Sequence, residues 1–341
     1  MTVLTKTRAY RLTDFDYNKI SPADVDLPPL GPTDVLVEMK AASLNYRDFL
    51  IAGGLYNPSF KLPLVPLSDG AGQVVETGSR VRAFKPGDRV AGIFMQDWVA
   101  GPIDGTCGKS ALGGEIDGVL QNHRVFPETG LVKLPGGYSF EEGAALPCAA
   151  VTAWNALFES GSLKPGQSVL VMGTGGVSLF ALQFARAAGA RIFATSSKDD
   201  RLELLESMGA NHTINYVSNP DWDKEILDAT DGAGVDHIVE VGGAGTLPRS
   251  INCIAAGGEI SVIGVLAGMG KIDPIRVLMK AIRLQGIFVG SREMFENMNR
   301  ALEVNGIKPV IDKKVFGADE ASAGIEYMKN GSHTGKIVLR F

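Results

Sequence analysis

A chain of 341 residues exceeds one typical hydrophobic core and predicts two domains. Its 45% hydrophobic and 21% charged residues are those of a soluble globular protein, which excludes a disordered or fibrous chain. A net charge of −5 with no block of like charge leaves no electrostatic footprint for nucleic acid or an anionic membrane. The N-terminal MTVLTKTRAYRLTDFDYNK lacks the apolar core of a signal peptide, so a cytoplasmic protein is expected. Cys107, Cys148 and Cys253 are odd in number and widely spaced, which is not a disulfide framework.

From Val3 to about Pro135 the pattern is mostly β. Val35, Val37 and Met39 alternate with polar neighbours, and Gly72–Glu76 and Arg89–Ile93 read as further strands, with Gly78 and Pro86-Gly87 as turns. Leu30–Asp34 separates an opening hairpin from these strands. The Gly-rich stretch from Asp97 to Gly118 reads as a surface lobe or lid. Phe140–Phe158 reads as helical, with a capping box at Ser139 and Glu142 and a division at Pro147.

From Pro165 a regular alternation begins. Strands Val169–Met172, Arg191–Thr195, Thr213–Tyr216, Asp236–Val241, Glu259–Val265 and Leu284–Val289 are separated by helical stretches, the last of which gives way to helix Glu293–Val304. Repeated βα units predict an α/β domain, a doubly wound parallel sheet of the Rossmann type. The tail carries strand-like Lys308–Val315, helix Ala318–Lys329 and strand Lys336–Leu339. It breaks the alternation and is expected to return to the first domain. The division expected is 1–130 completed by 291–341, and 131–290.

The first of these units, SVLVMGTGGVSLFALQFARAAG from Ser168 to Gly189, is strand, glycine turn, helix. Gly173, Thr174, Gly175, Gly176 and Val177 would let a pyrophosphate approach the backbone at a helix N-terminus. Taken alone the signal is weak, because the sixth position of G-x-G-x-x-G is Ser178. An uncharged run to Ala185 also has about the minimum length of a membrane span, but three central glycines and Arg186 argue against spanning. At the end of the second strand, where an NAD enzyme places an acidic residue, stand Ser196, Ser197 and Lys198, with Arg201 a turn beyond. Hydroxyls and cations suit a 2′-phosphate, which favours NADP(H). The plainer alternative makes these residues a turn and solvated surface. Asp199 and Asp200 keep NAD open, although both suit helix N-caps.

The chain order resembles that of the medium-chain dehydrogenase/reductases, and among them the zinc-independent quinone oxidoreductase-like branch. The resemblance rests on SLNYRD (Ser43–Asp48), GGLY (Gly53–Tyr56), GQVVETGSRVRAFKPGDRVAG (Gly72–Gly92), LPCAAVTAWNAL (Leu146–Leu157), the turn GTGGVS, MGANHTINY (Met208–Tyr216) and the closing GKIVL. It implies a GroES-like β-rich domain built from both chain ends, a Rossmann domain between them, and a homodimer. It places Asn45 and Thr152 beside the nicotinamide and its ribose, Tyr56 at the substrate mouth, Asp48 orienting the loop or a water, and Tyr216 and Lys198 at the adenosine phosphates. It also assigns Val241, Gly242, Val265, Val289 and Lys336 to the cofactor. Duller roles compete: Asn45 and Asp48 as helix caps, Tyr56 as turn packing and Thr152 as a satisfied helix hydroxyl.

The three catalytic zinc positions of zinc-dependent relatives fall on Asn45, Ser68 and Cys148. A catalytic zinc needs three protein ligands, and an amide and a hydroxyl are poor ones, so no metal is expected. The lobe for structural zinc offers Cys107 alone, and His123, His212, His237 and His333 lie outside ligand spacing. Without a Lewis acid, an activated acceptor such as a quinone or an α,β-unsaturated carbonyl is the expected small-molecule substrate. An NADP-dependent alcohol or aldehyde dehydrogenase and a non-catalytic NADPH-binding protein remain as alternatives.

Overall fold

The computed structural model describes residues 4–264 and 270–341. The chain divides into two compact units, Met1–Val151 with Gly290–Phe341, and Thr152–Val289.

The first unit opens with an antiparallel hairpin of β1 (Lys6–Leu12) and β2 (Ile20–Asp26). After β3 (Asp34–Ser43) come α1 (Tyr46–Ala52), β4 (Asp69–Thr77), β5 (Arg89–Gly92), β6 (His123–Pro127), β7 (Leu131–Lys133) and α2 (Phe140–Ala144). Ser139 caps α2 in the expected capping box: its hydroxyl accepts from the Glu142 N–H, and the Glu142 carboxylate accepts from the Ser139 N–H. The helical run divides just before Pro147, as expected: α2 ends at Ala144 with Ala145 as its C-cap. Pro147 opens a wide π-type turn over Leu146–Ala150 that leads into α3 (Val151–Trp154) and a second such turn, Asn155–Ser160.

The second unit takes up the alternation with β8 (Ser168–Met172), α4 (Gly176–Ala187), β9 (Arg191–Ser196), α5 (Asp199–Ser207), β10 (His212–Asn215) and α6 (Trp222–Ala229). It continues with β11 (Val235–Glu240), α7 (Leu247–Cys253), β12 (Ile254–Val262), α8 (Pro274–Met279) and β13 (Arg283–Gly286). All six strands are parallel in the order β10-β9-β8-β11-β12-β13. The order reverses direction beside β8, so the turn after β8 lies at the switch point of a doubly wound sheet, where such sheets bind ligands. Leu170, Phe193, Ile238 and Ile260 fill the core.

The tail supplies α9 (Arg292–Asn305), β14 (Phe316–Gly317), α10 (Ala321–Lys329) and β15 (Val338–Arg340), all in the first unit. Its sheet runs β14-β15-β3-β4-β5-β7, with β6 also on β3. The strand expected over 308–315 is absent, since only Ile311 bridges to Lys336; Pro309 lacks the N–H a ladder needs. The first unit runs to Val151 and not to residue 130, because β7 pairs with β5 and the Ser43 hydroxyl donates to the Ala144 carbonyl at 2.7 Å.

The segment from Asp97 to Gly118 is only in part a surface lobe. Residues 99–106 are exposed, whereas Leu112 is fully buried. Its glycines serve close approach: a Cβ at Gly113 would meet the Leu67 backbone at 2.7 Å, and one at Gly118 the Leu67 carbonyl oxygen at 2.0 Å.

Candidate active site

In the first unit, sheet register builds a polar cluster at the end of β3. Ser43 pairs with Asp69 on β4 and with Val338 on β15, so the residues just beyond, Asn45, Ser68 and Lys336, converge. The Lys336 ammonium is 3% exposed and donates to the Leu44 carbonyl at 2.7 Å and to Asn45 Oδ1 at 2.6 Å, with Asp69 Oδ2 at 3.5 Å. Asn45 Nδ2 donates to Ser68 Oγ at 3.3 Å, and Ser68 Oγ donates to Asp69 Oδ1 at 2.8 Å. The Cys148 N–H donates to Asp69 Oδ2 at 3.1 Å. Asp69 is wholly buried, and a buried carboxylate so paired meets the requirement that interior charges have partners. Leu67, which leads into this cluster, holds φ at 70°, a conformation L residues adopt only where the surroundings enforce it.

Asn45 is also the N-cap of α1, and its N–H donates to Asp48 Oδ2 at 2.8 Å. Asp48 is buried, its Oδ1 has no partner, and burial pushes its pKa up to about 7 against the lowering effects of the Asn45 N–H and Arg47. Burial, with Asp69 nearby, likewise pushes the Cys148 thiol up to about 12. Tyr56 belongs to a different cluster: the Arg47 guanidinium lies 5.3 Å from its ring and 4.8 Å from that of Phe94, and donates to the Leu112 carbonyl.

In the second unit, the chain turns between β8 and α4. Gly173 holds φ at +73°, which requires glycine, and Gly175 is the extended N-cap of α4. A Cβ on Gly175 would meet nothing within 4 Å, so packing gives no reason for glycine there. Thr174 is 3% exposed and its hydroxyl is an orphaned polar atom. The first turn of a helix also leaves backbone N–H groups unpaired. Open space, free donors and a buried unpaired hydroxyl fit a pyrophosphate. The departure at Ser178 has a structural cause, since its buried hydroxyl donates to the Met172 carbonyl at 2.6 Å and ties the helix to the strand end.

At the end of β9 Ser196 is buried, and beyond it Ser197 is half-buried and Lys198 exposed. Lys198, and not either aspartate, is the N-cap of α5; Asp199 and Asp200 lie in its first turn, and Asp199 accepts from Asn215 Nδ2 at 2.6 Å. Arg201 is half-buried and Tyr216 exposed. Val241 and Gly242 follow β11, where the buried Glu240 carboxylate accepts from the Gly242 and Gly243 N–H groups at 2.8 and 3.0 Å. Val289 has φ of 57°, and its carbonyl accepts from Asn155 Nδ2. Thr152 is buried at the start of this unit. Val265 lies outside the described residues.

Residues 31–136 match the alcohol dehydrogenase GroES-like domain and residues 176–303 the zinc-binding dehydrogenase model. A zinc-type alcohol dehydrogenase-like protein of Schizosaccharomyces pombe is 46% identical over 95% of this chain and 96% of its own length. The human quinone oxidoreductase is 30% identical over 97% of both chains.

This chain belongs to the medium-chain dehydrogenase/reductase superfamily.

Among solved members of the superfamily, the crystal structure of a candidate alcohol dehydrogenase from Sinorhizobium meliloti 1021 superposes with a TM-score of 0.92 at 37% identity, covering 100% of both chains. An NAD-dependent alcohol dehydrogenase follows at 0.88 and 31%, covering 98% of this chain and 99% of its own. The members of the superfamily named here thus include both alcohol dehydrogenases and a quinone oxidoreductase. The match named for zinc binding begins after Asn45, Ser68 and Cys148. At those three positions the donors are an amide oxygen already taken by Lys336, a hydroxyl and a single thiol, a set that does not fit the three good ligands of catalytic zinc. Among the described residues there is no group of three or more His, Cys, Asp and Glu placed to hold a metal, and no helix long and apolar enough to cross a membrane.

Within the first unit the geometry brings Asn45 together with Lys336, and leaves Tyr56 in the separate cluster around Arg47. Asp69 was missed by the sequence reading. Its only signal was its place beside Ser68 in PLSDG.

Proposed function

We propose that this oxidoreductase reduces an activated carbonyl compound, a quinone or an α,β-unsaturated ketone or aldehyde, with NADPH and without a metal. The observation that carries the reading is the Lys336 ammonium seated on Asn45 Oδ1, among the positions zinc-dependent relatives use for their metal. A bound nicotinamide dinucleotide supplies a hydride to carbon, and an acceptor that is already electrophilic needs little further activation. Gly173, Thr174, Gly175, Gly176 and Val177 would hold the pyrophosphate through backbone N–H groups and the α4 dipole. Val241, Gly242, Val289 and Thr152 are assigned to the nicotinamide half, and Asn45 to the reacting end. Asp48 holds the Asn45 backbone in place through the N–H it accepts.

A panel of acceptors tests this reading. Reduction of enones or quinones by NADPH is expected; oxidation of simple alcohols without enone reduction would move the assignment to an alcohol dehydrogenase. Tight NADPH binding with no turnover on any acceptor would leave a non-catalytic binding protein.

NADPH is favoured because a cation, not a carboxylate, follows the two serines after β9. Lys198→Glu should weaken NADPH binding at least about tenfold and change NADH binding little, since a charge-assisted phosphate contact is worth this much. Equal loss for both nucleotides contradicts the assignment to the 2′-phosphate.

We also propose a homodimer formed through the second unit. Among the described residues β13 ends the sheet with no further strand on its outer edge, and α8, which precedes it in the chain, leaves Ile275, Leu278 and Met279 65%, 76% and 77% exposed. Apolar side chains so exposed next to an unpaired edge call for a cover. Sedimentation velocity at micromolar concentration should show a two-chain species, and a single chain contradicts the proposal.

A further inference from the structure

We propose that Lys336 and Ser68 are positioning residues that fix the Asn45 side-chain amide so that it donates an N–H to the substrate's carbonyl oxygen. The inference rests on the reductase reading above. Lys336, Asn45, Ser68 and Asp69 close a ring in which every donated hydrogen points away from the ammonium and towards the carboxylate. The ammonium donates to Asn45 Oδ1, Asn45 Nδ2 to Ser68 Oγ, and Ser68 Oγ to Asp69 Oδ1; Asp69 Oδ2 faces the ammonium again at 3.5 Å.

A lysine ammonium has no acceptor capacity, so the atom facing it must be the amide oxygen and the amide cannot be flipped. Nδ2 carries two hydrogens, and Ser68 takes one of them. The other remains for a ligand. A cation at 2.6 Å on the oxygen draws electron density through the amide and strengthens its N–H as a donor, more so in an interior where Lys336 is 3% and Asp69 0% exposed. Asp69 balances the charge and anchors the ammonium.

The chemistry of enone reduction needs such a donor. When hydride, with its electron pair, joins the β-carbon, the C=C π pair shifts towards the carbonyl and the oxygen becomes an enolate oxygen. Water then protonates the α-carbon, and the nicotinamide is left oxidised. Charge therefore grows on the oxygen, and one pre-oriented donor aimed at it is worth roughly 10²–10³ in rate. In this role Lys336 acts through Asn45 and does not touch the cofactor, which differs from the contact implied by the family resemblance.

The test uses the full chain, cyclohexenone as acceptor and 4-nitrophenol as a non-reacting probe for an oxygen that can carry charge. Lys336→Met alone strands Asp69 as an unpaired buried charge, so the variants are Lys336→Met/Asp69→Asn, which is neutral at both ends, and Ser68→Ala. The paired variant should lower kcat for cyclohexenone about 30- to 100-fold and Ser68→Ala about three- to tenfold, as expected for loss and loosening of an oxyanion donor. Both should keep the NADPH Kd within about twofold, because the phosphate contacts lie elsewhere. Bound 4-nitrophenol should titrate lower than in water with the wild type, and the shift should vanish in the paired variant and shrink in Ser68→Ala.

A Kd that rises as steeply as kcat falls would assign Lys336 to the cofactor and overturn the proposal. So would a phenol shift that is absent from the wild type or survives undiminished in the variants. A wild type that shifts the phenol but reduces no enone ends the reductase reading and leaves the donor assignment standing. One that reduces enones without shifting the phenol ends the donor assignment alone.

Discussion

Gly175→Asp is expected to abolish nucleotide binding while leaving the protein as stable as before or slightly more so. The two effects separate because the glycine has no packing role: its φ is −77°, ordinary for any residue, and an added Cβ meets nothing within 4 Å. Aspartate is a better N-cap than glycine, and its charge favours a helix N-terminus, so α4 gains at most about 1 kcal/mol. A pyrophosphate at the same place meets both bulk and like charge, which should weaken NADPH binding at least about 100-fold, or about 2.7 kcal/mol. Thermal melts and a fluorescence titration read the two quantities. Unchanged affinity would remove the nucleotide from this turn. Gly173→Ala is the contrast, since φ of +73° makes it costly to stability by about 1 kcal/mol whether or not a ligand binds.

Asp48→Asn should alter how stability depends on pH. The Asp48 carboxyl is raised to about 7, chiefly by burial. In the unfolded chain it ionises near pH 4, so between about 4 and 7 the native state keeps a proton that the unfolded state has released. The unfolded state binds fewer protons there, and stability falls as pH rises through that window. Above pH 7 both states are ionised and the penalty is constant, with a ceiling of about 4 kcal/mol at 1.36 kcal/mol per unit. An asparagine carbonyl can still accept the Asn45 N–H and carries no titration. Urea midpoints of the two proteins should nearly agree near pH 4, and at pH 8 the variant should be more stable by roughly 2–4 kcal/mol. Parallel pH profiles would show that the carboxyl does not titrate in this way.

Much of the second unit was legible in the sequence because apolar runs and glycine turns repeat with the period of βα units. Boundaries from β8 to β11 agree within about two residues, as end fraying allows. The first unit was legible strand by strand, but its pairing was not. That Lys336 lies against Asn45 follows from β15 and β4 flanking β3 in particular registers, which no local pattern records. Glycine richness between Asp97 and Gly118 was read as exposure, yet Gly113 and Gly118 are there because Leu67 passes too close for a side chain. Ser178, which looked like a defect in the glycine pattern, ties helix to strand through its hydroxyl. The helical run divides just before Pro147, as its missing N–H predicts, and a widened turn carries the chain on from there.

What is proposed is hydride delivery from a nucleotide on the α4 turn to an activated acceptor, with an ammonium rather than a metal bonded to Asn45. It is tested most directly by the rate of NADPH oxidation with cyclohexenone after exhaustive chelation, alongside the zinc content of the same sample. An undiminished rate and far less than one zinc per chain are expected. One zinc per chain before chelation, with the rate lost on its removal and restored on its return, would contradict it.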